Sequence, residues 1–440
     1  MLRPLATYPE SYYSATAAIP APAPPLAAPI QADVCVVGAG MAGCSAALHL
    51  AEQGLRVVLL EEQRVGWGAS GRNGGQVLPG IAKGQAALER LIGPGDARAI
   101  WDITLEGVKL MRQRIAHYGI DCDWVDGHLQ VAVKPRHLAE LANEQQALAR
   151  LGYGGTRLIG QGELSGLLAT KRYLGGLYDP GSGHLHPLRY TLGLARAAQG
   201  AGVMLYEGTR ASDYTVSGET VRVRTAAAGA SASADAGAGG EVHCRHLLLA
   251  GNAYLGSLAP ALARKIMAVG TYIIATEPLG EARARALIGN NAAVSDLNWV
   301  LDYFRCSADH RLLFGGRVSY SGIERFEVVA ATQARMLRVF PQLAGTRVDY
   351  HWGGYVDITL NRAPHFGRLA PNVWFLQGFC GHGVALTGIA GVLAAEAIAG
   401  STGRFDLFAR IAHRDFPGGA LLRRPALVLA MLWYRLRDLL

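Results

Sequence analysis

The sequence predicts an α/β protein: a discontinuous, Rossmann-like nucleotide-binding domain joined to a mixed α+β domain with an antiparallel sheet. Three observations predict it. The apolar run Val34–Val37 ends in Gly38-x-Gly40-x-x-Gly43 and opens a helix of small residues. A second apolar run, Val57–Leu60, ends in Glu61, about 20 residues beyond the glycines, where a dinucleotide fold carries its ribose-binding acid. Near the other end of the chain, the strand-like Val373–Gln377 runs into a second glycine-rich turn, Gly378–Val384, and then a helix rich in alanine and leucine.

The elements follow in order. Residues 1–30 read as an irregular Ala/Pro-rich lead-in. After the first dinucleotide unit, the loop Gly66–Gln76 is too glycine-rich for a regular element and can lay its backbone against a flat ligand. Residues 85–118 have helical spacing, His128–Val133 alternates like a strand, and His137–Leu151 is amphipathic. Pro187–Gly202 reads as a helix and Val203–Glu207 as a strand. Thr220–Ala226 and Val242–Ala250 read as two strands of one hairpin, its tip an Ala/Gly/Ser tract. Residues 416–440 read as a C-terminal amphipathic helix. The first strand unit must share its sheet with later pieces. The nucleotide domain is therefore expected in residues 31–110, 185–260 and 350–415, and the second domain in 111–184 and 261–349.

Composition narrows the class. At 440 residues the chain suits two or three domains, and 50% hydrophobic against 17% charged residues describes a compact soluble protein. The net charge of +8 points towards an anionic partner, but the basic residues are scattered, so no nucleic-acid stripe is expected. The six cysteines form no CxxC pair and no metal-ligand spacing; a reducing, cytoplasmic setting and no metal are expected. No signal peptide and no integral membrane segment are expected, since the apolar stretch Ala426–Trp433 is too short and is flanked by arginines.

The two glycine turns carry the chemistry. In the first, glycines let the backbone turn sharply towards a pyrophosphate, and the helix starting near Gly40 offers free N–H groups and its positive end. That unit alone fits FAD or NAD. A second glycine turn ahead of a helix suits a flavin, whose reduced ring carries charge near N1 and C2=O that a helix N-terminus stabilises. The cofactor expected is FAD.

Several stretches resemble the FAD-dependent amine oxidoreductases of the D-amino-acid-oxidase and glycine-oxidase superfamily, and within it the gamma-glutamylputrescine oxidases. They are Ser11–Thr16, Gly66–Gln76, Gly183–Pro187, Ala250–Leu255, Asn361–Arg368, Gly378–Val384 and Phe416–Gly419, spread over nearly the whole chain. The resemblance implies hydride removal from the carbon beside an amine, hydrolysis of the imine, and electron transfer to oxygen or another acceptor. It implies flavin contact by Gly38, Gly40, Met41, Ala42, Gly43, Glu61, Glu62 and Arg64. Further contacts are implied at Ala69, Ser70, Arg72, Asn73, Gly74, Gly75, Gln76, Ala211 and Gly251, and at Gly381, His382, Gly383 and Val384. Candidates for the chemistry are Gln76, His382, Arg317 and Trp352.

The alternatives stand beside this reading. Arg72 is a flavin-side group or a surface arginine, and His382 is a catalytic group or a cap. Trp299, Tyr303, Trp352 and Tyr355 wall a pocket or pack a core. Asp302 and Arg317 touch a zwitterionic substrate tail or lie in solvent. Cys380 stands where the family more often has serine; its turn should face the pyrimidine edge, away from the 8α-methyl that a thioether needs, so FAD is expected to be non-covalent. One rival function is oxidation of a D-amino acid, glycine or sarcosine, which would need an arginine over the flavin, with Arg317 the candidate. A rival of another class is a flavin-binding, electron-carrying subunit without turnover.

Overall fold

The computed structural model describes residues 7–227, 239–319 and 325–417. Its first sheet has six strands in the order His365–Ala370, Val373–Gln377, His246–Leu249, Val34–Val37, Val57–Leu60, Met204–Tyr206. All neighbours are parallel except the first two. The strands Val34–Val37 and Val57–Leu60 are apolar at every position, and His246–Leu249 at all but its first, because both faces are covered, as parallel sheets require. Val34, Val36, Val57, Leu59 and Leu248 pack under helices, among them Met41–Glu52 and Val384–Ile398. Cys35, Val58, Leu60, Leu247 and Leu249 pack against a small four-stranded sheet.

A larger sheet runs in the order Val348–Ile358, Met267–Thr276, Leu312–Ser319, Tyr303–Cys306, Ala293–Asp296, Val125–Ala132, Gly175–His184, Gln76–Val77. It is antiparallel except between Ala293–Asp296 and Val125–Ala132, which run parallel. Alternation sorts its faces. Leu129, Val131, Val294, Phe304 and Phe314 join a core with Met336, Val339 and Phe340. His128, Gln130, Ser295 and Tyr303 fall on the opposite face by the same period of two. Gln76–Val77 and Val348–Ile358 pair into this sheet, although the sequence suggested that both belong with the nucleotide domain.

Other expectations need correction. Val242–Ala250 is not one strand. Glu241–Cys244 pairs with Thr220–Ala227, whereas His246–Leu249 joins the six-stranded sheet. The break falls where the N–H groups of Arg245 and His246 both turn to the carbonyl of Asp33. The 85–118 helix is two, Gln85–Ile92 and Pro94–His117, parted by Gly93 at φ 86°. The lead-in contains a short helix, Tyr12–Thr16, started by a Ser11/Ser14 capping box. The Ala/Gly/Ser tip and the C-terminal amphipathic helix fall almost wholly outside the described residues. Among those described, no single helix is long and apolar enough to cross a membrane.

Candidate active site

Both glycine turns open on one cavity of about 1450 Å³. That exceeds the roughly 300–1,000 Å³ of ordinary ligand pockets and leaves room for a dinucleotide and a substrate. At its first end, Gly38 takes φ 105°, and the helix Met41–Glu52 starts at Gly40. A Cβ on Gly43 would lie 1.9 Å from the Gly38 carbonyl oxygen, so only glycine lets this helix sit on its strand. The N–H of Met41 donates to Ser70 Oγ at 2.9 Å, and that of Ala42 has no acceptor among the described residues. An anion at this helix start would meet the open Ala42 N–H in the cavity wall.

Glu61 ends the next strand. Its carboxylate accepts from Ala39 N at 2.8 Å and Gln63 N at 2.9 Å, and burial pushes it up to about 7. Glu61 and Glu62 both line the cavity beside Ala211 and Gly251.

The second turn is fastened from the large sheet. The buried Asp357 carboxylate accepts from the N–H groups of Gly378 and Phe379, and its carbonyl accepts from Cys380 N at 3.1 Å. Burial raises Asp357 to about 6. Gly381, His382, Gly383 and Val384 line the cavity ahead of the helix Val384–Ile398. Cys380 takes φ 55°, and its thiol donates to the Gly378 carbonyl at 3.2 Å. Burial, then the nearby Asp357 charge, pushes that thiol up to about 11.

The loop between them forms a wall. Ala69, Ser70, Asn73, Gly74 and Gln76 face the cavity, and Gln76 Nε2 donates to Val294 O at 3.0 Å. The face of the large sheet opposite its core supplies the floor: His128, Gln130, Ser295 and Tyr303, with Trp299 and Tyr355 at partly exposed edges. His128 Nε2 lies 3.1 Å from Ser295 Oγ, and burial holds this ring down at about 4. His382 Nε2 lies 2.9 Å from the Pro79 carbonyl, and burial lowers it too. Burial thus favours the neutral form of both rings.

Some expected residues stand elsewhere. Arg64 does not face the cavity; it pairs with buried Glu207 at 3.1 Å and donates to the Pro20 carbonyl. Arg72 turns away, donating to the Trp67 and Gly353 carbonyls and stacking 4.0 Å from the Trp67 ring. Gly75 lies behind the wall, where a Cβ would meet the Leu185 carbonyl at 2.1 Å. Trp352 is core, donating to the Arg72 carbonyl at 2.9 Å and packed on Tyr13. Gly43 acts through packing. Asp302 is buried in a 2.6 Å pair with Arg335. Arg317 lies on the large sheet opposite Tyr272, and its side chain is outside the described residues.

Sequence reading missed Asp357 and Arg305. The Arg305 guanidinium donates to the Gly74 carbonyl at 2.7 Å, the Leu185 carbonyl at 2.9 Å and Tyr13 Oη at 3.1 Å. It also missed Arg362 at the cavity wall, at φ 55° and with Nε lacking an acceptor among the described residues. Its only sequence signal was a basic residue in the Asn361–Pro364 turn.

A nucleotide sheet whose two glycine turns share a cavity, floored by a second sheet, defines a flavin-dependent oxidoreductase. The chain belongs to the DAO family of FAD dependent oxidoreductases, whose model matches residues 33–397. It is 41% identical over 430 residues to gamma-glutamylputrescine oxidoreductase of Escherichia coli, covering 98% of each chain. It is 40% identical to a probable oxidoreductase, OrdL, of Haemophilus influenzae, covering 94% of each. Glycine oxidase from Geobacillus kaustophilus shares the fold, with a TM-score of 0.68 at 20% identity over 84% of this chain and 95% of that one. FAD is the cofactor, and the glycine cradle and free helix start fit it. When bound, it supplies a two-electron acceptor.

Proposed function

We propose that this protein oxidises an amine at the CH–NH bond, with gamma-glutamylputrescine or a related N-substituted amine as substrate. The observation that carries this reading is the cavity floor. An amine must be neutral before its α-hydrogen leaves as hydride. The groups beside the second turn, His128 and His382, are themselves held neutral by burial. Neutral rings set no positive charge against an incoming amine and offer it hydrogen-bond acceptors, while its proton leaves to solvent. The similarity to the Escherichia coli enzyme over 98% of the chain supports the substrate class.

In this reading the Met41–Glu52 helix start takes the pyrophosphate and Glu61 the adenosine ribose. The Gly381–Val384 turn takes the pyrimidine end, and Gln76, Tyr303 and Tyr355 border the reacting amine. FAD is held without a covalent bond. The electron acceptor is oxygen or another oxidant, and no nucleic acid takes part. The buried, unpaired state of all six cysteines suits a reducing cytoplasm.

The test is an amine panel on the FAD-loaded protein under anaerobic conditions, followed by readmission of oxygen and a peroxide assay. Bleaching by gamma-glutamylputrescine and not by glycine or sarcosine is expected. Bleaching by no amine would sink the reading.

A further inference from the structure

Beyond the second turn, the cavity continues to a part that the flavin roles above leave unused. His128 pairs across the large sheet with Asp179, so these two residues are neighbours on adjacent strands. Asp179 lies within electrostatic reach of Glu144, and His128 within reach of His382. All four line the cavity, and they trace a line from the second turn out to the helix Pro135–Arg150.

Along that helix one stripe faces inwards. Leu141 packs on Ala132 and Leu177, and Glu144 and Leu148, one and two turns further on, line the cavity. Glu144 is a carboxylate on an otherwise apolar stripe, with no hydrogen-bond or ion-pair partner among the described residues. Asp179 is held in place by Tyr153 Oη at 2.7 Å, Gly181 N at 2.9 Å and Ser182 Oγ at 2.5 Å. Two aromatic residues wall this end, Tyr153 and Trp101, whose rings meet edge-on at 5.6 Å. Trp101 is only 4% exposed, and its Nε1–H has no acceptor among the described residues. A buried donor left open in a cavity wall signals a missing partner.

We propose that this end of the cavity is the subsite for a second ammonium group, carried on the substrate's tail and bound by Glu144 and Asp179 between the Trp101 and Tyr153 rings. The proposal rests on the amine-oxidation reading and narrows its substrates to amines with a second positive charge remote from the reacting carbon. Two carboxylates take that charge by charge-assisted hydrogen bonds, and the aromatic walls favour a cation over a neutral tail. The open Trp101 N–H suits a carbonyl or carboxylate along the tail. Burial and the nearby Asp179 push Glu144 above the ordinary carboxylate range, as expected of an acid that lacks its cation. Lys83 at the rim is exposed, so water and salt screen its repulsion.

Glu144→Gln on the FAD-loaded enzyme tests this with two substrates, gamma-glutamylputrescine and n-butylamine, which has no second charge. The ratio of their kcat/KM values should fall roughly tenfold or more, through KM for the charged-tail substrate, and Glu144→Asp should restore part of it. An unchanged ratio, or equal losses on both substrates, would overturn the subsite and leave amine oxidation standing. A diammonium probe without α-hydrogens, 2,5-diamino-2,5-dimethylhexane, keeps its N–H donors but cannot be oxidised, and it separates the two claims by calorimetry. Binding to the unsubstituted protein and roughly tenfold weaker binding to Glu144→Gln supports the subsite even where no amine bleaches the flavin. Equal binding to both proteins refutes it.

Discussion

A methyl group added at Gly40 would stand 2.8 Å from Ser70 Oγ, the atom that holds the first N–H of the dinucleotide helix. Ser70 is a short side chain with room to rotate, so the protein itself should tolerate the change. The helix start would not. Gly40→Ala is expected to leave the apoprotein's melting temperature within a few degrees of wild type while abolishing FAD retention through gel filtration. Stoichiometric FAD in the variant would contradict the role given to this turn.

Glu61 carries a pH signature. Its folded value is raised to about 7 from an ordinary 4.5, so the unfolded chain gives up this proton first. The stabilising contribution of its protonated form is complete below the ordinary value and is lost as pH rises towards 7. Ribose hydroxyls donate best to the ionised carboxylate. FAD affinity should therefore increase up to about pH 7 and level off above it, and Glu61→Gln should flatten the profile; fluorescence titration of apoprotein measures both. Cys380 gives a third test at this scale. Its thiol is held protonated, far from the thiolate that a thioether requires, and is bonded to its own turn. Precipitation with trichloroacetic acid should leave a colourless pellet and a yellow supernatant.

The second turn depends on one carboxylate from another sheet. In Asp357→Asn a single amide oxygen replaces two carboxylate oxygens, and a charged acceptor of the two turn N–H groups is lost. The expected penalty is about 1.5–3 kcal/mol, seen as a lower melting temperature and faster FAD release in stopped-flow dilution. A variant that matches wild type in both would show that the turn holds itself. The contrast explains what sequence could reveal. Gly38–Gly43 and Gly378–Val384 were legible because a sharp turn before a helix is a local demand on residue type. Asp357 was not, because its partners lie some 20 positions away on another sheet. Val242–Ala250 misled for the opposite reason: it is uniformly strand-like, and its division rests on a distant carbonyl, that of Asp33.

Arg305 ties the molecule together. It joins the Gly74 loop to the Leu185 backbone and, through Tyr13, to the short N-terminal helix. Arg305→Ala strands these buried acceptors without donors, so a loss of ~3 kcal/mol or more is expected, with the chromophore lost before global unfolding. Thermal melts followed by flavin fluorescence and by circular dichroism would separate the two events; coincident curves would argue against this role. No periodicity announces such a residue. The arginine-rich sequence hides it among many surface guanidinium groups, and Arg64 and Arg72, favoured for their neighbourhood, serve the same kind of internal bracing.

The nucleotide sheet closes late in the life of the polypeptide. His246–Leu249 lies between Val34–Val37 and Val373–Gln377, its partners on either side. Val373 is made roughly 125 residues after Leu249, about 6–25 s later in ribosomal synthesis. For that interval the nascent chain presents an unpaired apolar edge of Leu247, Leu248 and Leu249, the kind of surface that invites pairing between chains. The yield of native protein should thus depend on how quickly the last third of the chain emerges. Slow codons placed after His246 are a hazard for expression, and holding chaperones are a remedy.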